Sequence, residues 1–145
     1  MLNILIAVDG SENALEAVRH AIKLCSANAR IRLHLLNAQP PLPLAVSSFV
    51  TQDVIQSFHQ EEGRKCLQAA RALLDQEKIA YEAHIAVGDV ADSIIAYVID
   101  RNCDHILMGT RGLSSLPGLL LGSVATRVLH LAEVPVTLIP RKRRK

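Results

Sequence analysis

At 145 residues the chain fits a single domain, long enough to bury roughly two-thirds of its unfolded surface. Half the residues are hydrophobic, yet only 3% are aromatic and none is Trp, so the core must be Leu, Ile, Val and Ala, and a base-stacking platform for single strands is excluded. The net charge is only +2, and no apolar run approaches the ~20 residues of a membrane span.

The charge is unevenly spread. The last five residues, Arg141 to Lys145, are all basic, and the remainder carries eleven basic against fourteen acidic residues, a net of −3. Residues 1–140 are therefore expected to form the folded domain, with 141–145 a solvated basic tail. Nucleic acid and membrane are not expected partners. The opening MLNILIAVDG has no basic leader and reads as a strand, so a cytoplasmic location is expected.

Leu2 to Val8 is a continuous apolar run, the pattern of a strand covered on both faces. Asp9, Gly10 and Ser11 break it. Ala14, Ala17, Val18, Ala21, Ile22 and Cys25 then recur at helical spacing, and the helix should end near Ala27 or Asn28. Arg30 to Asn37 is a second strand. Gln39 to Pro43 cannot be a helix interior or a central strand, so it opens a loop of about a dozen residues. A long helix should run from Thr51 to Glu77, with Gly63 inside it as a candidate bend. Ile79 to Val87 is the third strand, and Gly88 and Asp89 turn it into a helix capped by Asp89. Asp104 to Gly109 is the fourth strand. A last helix begins at Val124 with Ser123 as its N-cap, and Pro135 to Ile139 is the fifth strand. Strands alternating with helices imply parallel pairing through right-handed crossovers.

The most informative stretch joins the fourth strand to the last helix. Gly109, Gly112, Gly122 and Ser123 follow the spacing G-x-x-G-x9-G-S. This is neither the Rossmann G-x-G-x-x-G nor a phosphate loop ending in Gly-Lys. Bare glycines and a helix N-terminus can face an anion, since the unpaired amides and the macrodipole favour negative charge there. Three glycines can also simply make a turn.

Four segments, taken together and in order, resemble the universal stress protein family in its ATP-binding branch: ILIAVDGS (Ile4 to Ser11), VGDVADSI (Val87 to Ile94), LLLGSV (Leu119 to Val124) and VPVTLI (Val134 to Ile139). The resemblance implies an α/β fold of three layers, Rossmann-like and adenine nucleotide alpha hydrolase-like. Its open parallel sheet has five strands in order 3-2-1-4-5 and helices on both faces. It further implies that ATP, with Mg²⁺ or Mn²⁺, binds where the strand order reverses. Ala7, Val8 and Asp9 would lie near the adenosine, with the backbone of Leu36 at the adenine edge and Val87 packed on the base. Met108, Gly109, Gly112, Gly122, Ser123 and Val124 would cradle ribose and phosphates. Arg111 has two readings, a contact to the terminal phosphate or a solvated side chain. Asp9 likewise either serves the ribose or cation, or caps a turn. The family also implies a homodimer through the last strand, Val134 to Ile139, acting as a nucleotide-responsive stress-signalling dimer with an unknown partner.

No catalytic constellation is legible, and His105 and His130 read as surface or helix-end residues, so at most slow ATP hydrolysis is expected. Cys25, Cys66 and Cys103 read as reduced thiols, and the six His show no metal-ligand spacing. Three rivals remain: a slow adenine-nucleotide hydrolase or nucleotidyl transferase on the same fold, a dimeric interaction module that binds no nucleotide, and a flavin-binding electron-transfer domain. Pro117 with Gly118 would stiffen the loop, and Ser114 and Ser115 are exposed candidates for phosphorylation.

Overall fold

The computed structural model describes residues 1–112, 118 and 120–142. In chain order these form β1 (Leu2–Ala7), α1 (Glu12–Ala27), β2 (Ile31–Gln39), α2 (Leu44–Ser47), α3 (Gln52–Gln76), β3 (Tyr81–Val87), α4 (Val90–Asp100), β4 (His105–Gly109), α5 (Ser123–Leu131) and β5 (Val136–Ile139). The five strands make one parallel sheet in the order β3-β2-β1-β4-β5. This is the expected order, with strands 1 and 4 side by side at the centre.

Strand alternation divides the core in two. Ile4, Ile6, Leu33, Leu35 and Leu107 point to the face covered by α1 and α3. Leu5, Leu36, Ile106 and Met108 point to the face covered by α4 and α5. Each fully buried Leu or Ile contributes about 1.5–3 kcal/mol by leaving water, so β1, buried on both faces, is the seam that joins the two halves.

Local chemistry starts the helices. Ser11 accepts from Ala14 N (3.1 Å), Thr51 from Val54 N (3.4 Å) and Asp89 from Asp92 N (3.0 Å), each satisfying an amide of the first turn. The structure departs from expectation in four places. β2 continues two residues further, to Gln39, because β3 offers it partners as far as Val87. The loop after β2 contains the short helix α2. α3 runs unbroken through Gly63, where bare backbone lets the helix lie on β3: a Cβ would stand 2.5 Å from Cδ1 of Ile85. Last, α5 is capped by Gly122 and not by Ser123. The Gly122 carbonyl accepts the first helical bond, from Thr126 N (3.0 Å), which makes Ser123 the first helical residue.

Candidate functional site

β1 pairs with β2 on one side and β4 on the other, and the connections after β1 and β4 leave the sheet at the same end. A cleft opens there, enclosing about 660 Å³ including the part open to solvent. One end is apolar: Leu36 and Ala38 from β2, Val90 and Ile94 from α4, and Met108 from β4. The other end is glycine and backbone: Gly109 to Gly112, from the last residue of β4 onward, and Gly122 to Ala125, the cap and start of α5. Ala7, Val8 and Asp9 form the floor between them.

Eleven of the twelve expected site residues line this cleft: Ala7, Val8, Asp9, Leu36, Met108, Gly109, Arg111, Gly112, Gly122, Ser123 and Val124. Val87 does not. It ends β3 opposite Gln39, one strand beyond β2, and its side chain is 48% exposed. The apolar end is supplied instead by Ala38, Val90 and Ile94. The last two are one turn apart on α4, directly after its Asp89 cap, a spacing that could have pointed to them. Arg127 of α5 pairs with Asp92 (3.2 Å) across the surface and holds the two helices side by side. Ser114, Ser115 and Pro117 lie outside the described residues.

Asp9 is held by its own turn: Oδ1 accepts from Ser11 N (2.9 Å). The turn-capping role is therefore present, and it aims the rest of the carboxylate. A Cβ on Gly112 would stand 2.5 Å from Asp9 Oδ2, so this glycine leaves the room that the carboxylate occupies. Gly10, at φ +88°, lets the turn sit against Cys66 of α3. Burial, and next the Asp9 charge, push the Cys66 thiol above its usual range, so it packs there protonated. All three cysteines are free, and burial pushes Cys103 up to about 11.

Beneath Asp9, Asn37 is buried and its Nδ2 donates to the Val8 carbonyl (2.8 Å). Gln39 Nε2 donates to Asn37 Oδ1 (2.9 Å) and to the His59 carbonyl (2.9 Å), which ties α3 to the end of β2. At α5, the first-turn amides have no partner within the helix, and the dipole places about half a positive charge at that end. Those amides belong to Ser123, Val124 and Ala125, which line the cleft.

The glycine loop closes at a neck. Gly122 N donates to the Thr110 carbonyl (2.7 Å), and Thr110 N donates to the Ile139 carbonyl of β5 (3.1 Å). Asn13 on α1, buried at 5% exposure, reaches the same place. Its Oδ1 accepts from Arg111 N (2.9 Å) and Thr110 Oγ1 (3.3 Å), and its Nδ2 donates to the Ile139 carbonyl (2.9 Å). Sequence reading missed Asn13, because its partners are 97 to 126 residues away.

The histidines show no arrangement for proton transfer at the cleft. His105 is half-buried in β4, bonded to Thr137 Oγ1 of β5 (2.6 Å), which corrects its reading as a surface residue. His130 is exposed in the last turn of α5. Among the described residues no group of three or more His, Cys, Asp or Glu could hold a metal ion, and no helix is long and apolar enough to cross a membrane.

Comparison with known proteins agrees with this architecture. The model of the universal stress protein family matches residues 1–140. The chain is 28% identical over 144 residues to the universal stress protein MJ0531 of Methanocaldococcus jannaschii, covering 98% of this chain and 84% of that one. The solved structure of MJ0577 from the same organism superposes with a TM-score of 0.83 at 25% identity, covering 98% and 97% of the two chains. A universal stress protein from Archaeoglobus fulgidus, solved in complex with dAMP, shares the fold at a TM-score of 0.69 and 22% identity, over 96% and 98% of the chains.

Proposed function

The chain belongs to the universal stress protein family, and we propose that it binds ATP in the cleft at the strand-order reversal. The observation that carries this reading is the division of one cleft into two chemistries. The slot formed by Ala38, Val90, Ile94 and Met108 suits a flat apolar base. The start of α5, with Gly122, Ser123 and Val124, suits a chain of phosphates. Asp9 stands between them, where a carboxylate can accept from ribose hydroxyls or face a cation held by the phosphates. The donor set lacks a protein cage for a metal, so Mg²⁺ or Mn²⁺ would arrive with the triphosphate. Arg111 lines the same end and carries a charge suited to phosphate oxygens. A relative of the same fold solved with dAMP supports an adenine nucleotide as the ligand class.

The molecule would act as a nucleotide-responsive homodimer in the cytoplasm, assembled along β5. That strand is a sheet edge with β4 on one side only, and its four residues are half-buried in the single chain. Binding of ATP would alter the surface offered to a signalling partner.

Titration calorimetry with ATP, with and without Mg²⁺, is the test. A saturable heat at one site per chain is expected, with a rise in melting temperature that grows with ligand concentration. Neither heat nor a thermal shift at millimolar ATP would end the reading. Steady release of ADP or AMP, lost in Asp9→Ala or Ser123→Ala, would move it to a hydrolase on the same fold.

A further inference from the structure

Thr110 and Arg111 share one peptide group, and that group is gripped at both ends. Its carbonyl accepts from Gly122 N (2.7 Å), and its N–H donates to Asn13 Oδ1 (2.9 Å). The Asn13 amide passes the pattern on, since its Nδ2 donates to the Ile139 carbonyl (2.9 Å). Three amides thus stand in series, each donating onward, from the cap of α5 to the last residue of the edge strand. Such chains polarise one another and gain from completeness. Asn13 is the last donor of the series and the only side chain in it. It projects from the first turn of α1, among Ala14, Ala17 and Val18, where a buried amide persists only if its hydrogen bonds are made. Gly109 is bare for its sake: a Cβ there would stand 2.6 Å from Asn13 Cγ.

We propose that Asn13 is a positioning residue that joins the phosphate-binding end of the cleft to the β5 edge, so that filling the cleft stiffens the end of that strand. The inference rests on the nucleotide reading above. Asn13 is not among the cleft-lining residues and reaches the cleft through the residues it holds there, Gly109, Thr110 and Arg111. Its loss therefore weakens the grip on phosphates and leaves the base slot, on the far side of the sheet from α1, as it was.

The experiment pairs calorimetry, using ATP and adenosine as probes, with amide hydrogen exchange on the whole chain. In the wild type, the Arg111 amide is protected before any ligand is added, and ATP slows exchange in β5. Asn13→Ala is expected to lose ATP affinity by about tenfold, the scale of one or two hydrogen bonds, with adenosine affinity changed less than about twofold. The same variant loses Arg111 protection, and its β5 response falls to what the direct bond from Thr110 N to the Ile139 carbonyl carries (3.1 Å). Asn13→Asp keeps the acceptor for Arg111 but sets an oxygen against the Ile139 carbonyl, so Arg111 stays protected while the β5 response falls in the same way. Equal losses for ATP and adenosine would mean a merely structural side chain and would overturn the proposal. If Asn13→Ala does not fold, the wild type decides alone: an Arg111 amide exchanging like an open loop, or a β5 indifferent to bound ATP, overturns it. A wild type that binds no ATP would remove the nucleotide reading and this inference together, whereas ATP binding without these responses removes this one only.

Discussion

Gly63 and Gly112 have the same clearance and opposite consequences. A methyl at either would stand 2.5 Å from its nearest neighbour. At Gly63 that neighbour is Ile85, and three of its carbons lie within 2.8 Å, in the seam where α3 packs on β3. At Gly112 it is the tip of one carboxylate, Asp9 Oδ2, with Cγ already 3.7 Å away. A branched side chain packed between helix and sheet cannot retreat without opening a gap. A carboxylate at the edge of an open cleft can turn. The first glycine is bare so that the fold closes, the second so that Asp9 can stand where it does. Close approach alone does not separate structure from function; what it meets does.

The contrast can be broken from either side. The largest effect is expected where both roles meet, at Gly109. Its added methyl would displace Asn13 and the hydrogen bonds that Asn13 makes to Arg111, Thr110 and Ile139. Gly109→Ala should cost about 3 kcal/mol of stability in denaturant melts, and ATP affinity with it. Gly63→Ala comes next. Overpacking against Ile85 costs about 1–3 kcal/mol, and about 1 kcal/mol of helix propensity returns. A net loss of up to about 2 kcal/mol is expected, with calorimetry showing ATP affinity unchanged; a more stable protein would mean that the seam yields. Gly112→Ala should do the reverse, changing stability by less than about 1 kcal/mol while lowering ATP affinity about tenfold. Should its melting curve shift as far as that of Gly63→Ala, the distinction fails.

The smallest effect lies on the other face, near the β3 side. His34 is buried in β2, its Nδ1 2.9 Å from the Tyr97 hydroxyl of α4, and its Nε2 has no hydrogen-bond partner among the described residues. Around it stand Glu82 and His84 on β3, Arg101 after α4, and Arg32 on its own strand. Burial outweighs the Glu82 charge and pushes His34 below the usual histidine range. Between the ordinary and the lowered value the unfolded chain binds more protons, so stability is full above about pH 6.5 and is lost as pH falls through that window. Melting temperatures of His34→Leu should lose part of the acid-side slope. A slope equal to the wild type's would assign it to other groups, with His105, also lowered by burial, the next to test.

The sequence by itself determined what depends on near neighbours. Apolar runs and helical spacing marked the strands and the long helices, Asp89 was legible as a cap, and G-x-x-G-x9-G-S marked the cleft. Period and cap chemistry act over a few residues, so one chain suffices to read them. The tertiary structure alone decided the rest. It moved the α5 cap to Gly122 because that carbonyl, and not Ser123, receives the first helical bond. It set Val87 at the end of β3 opposite Gln39, outside the cleft lining, and put Ala38, Val90 and Ile94 in that lining. It gave Asn13 partners 97 to 126 residues away, through a winding that carries β4 and β5 past α1. No local pattern announces a partner at that separation, because only the order of strands in the sheet brings it within reach.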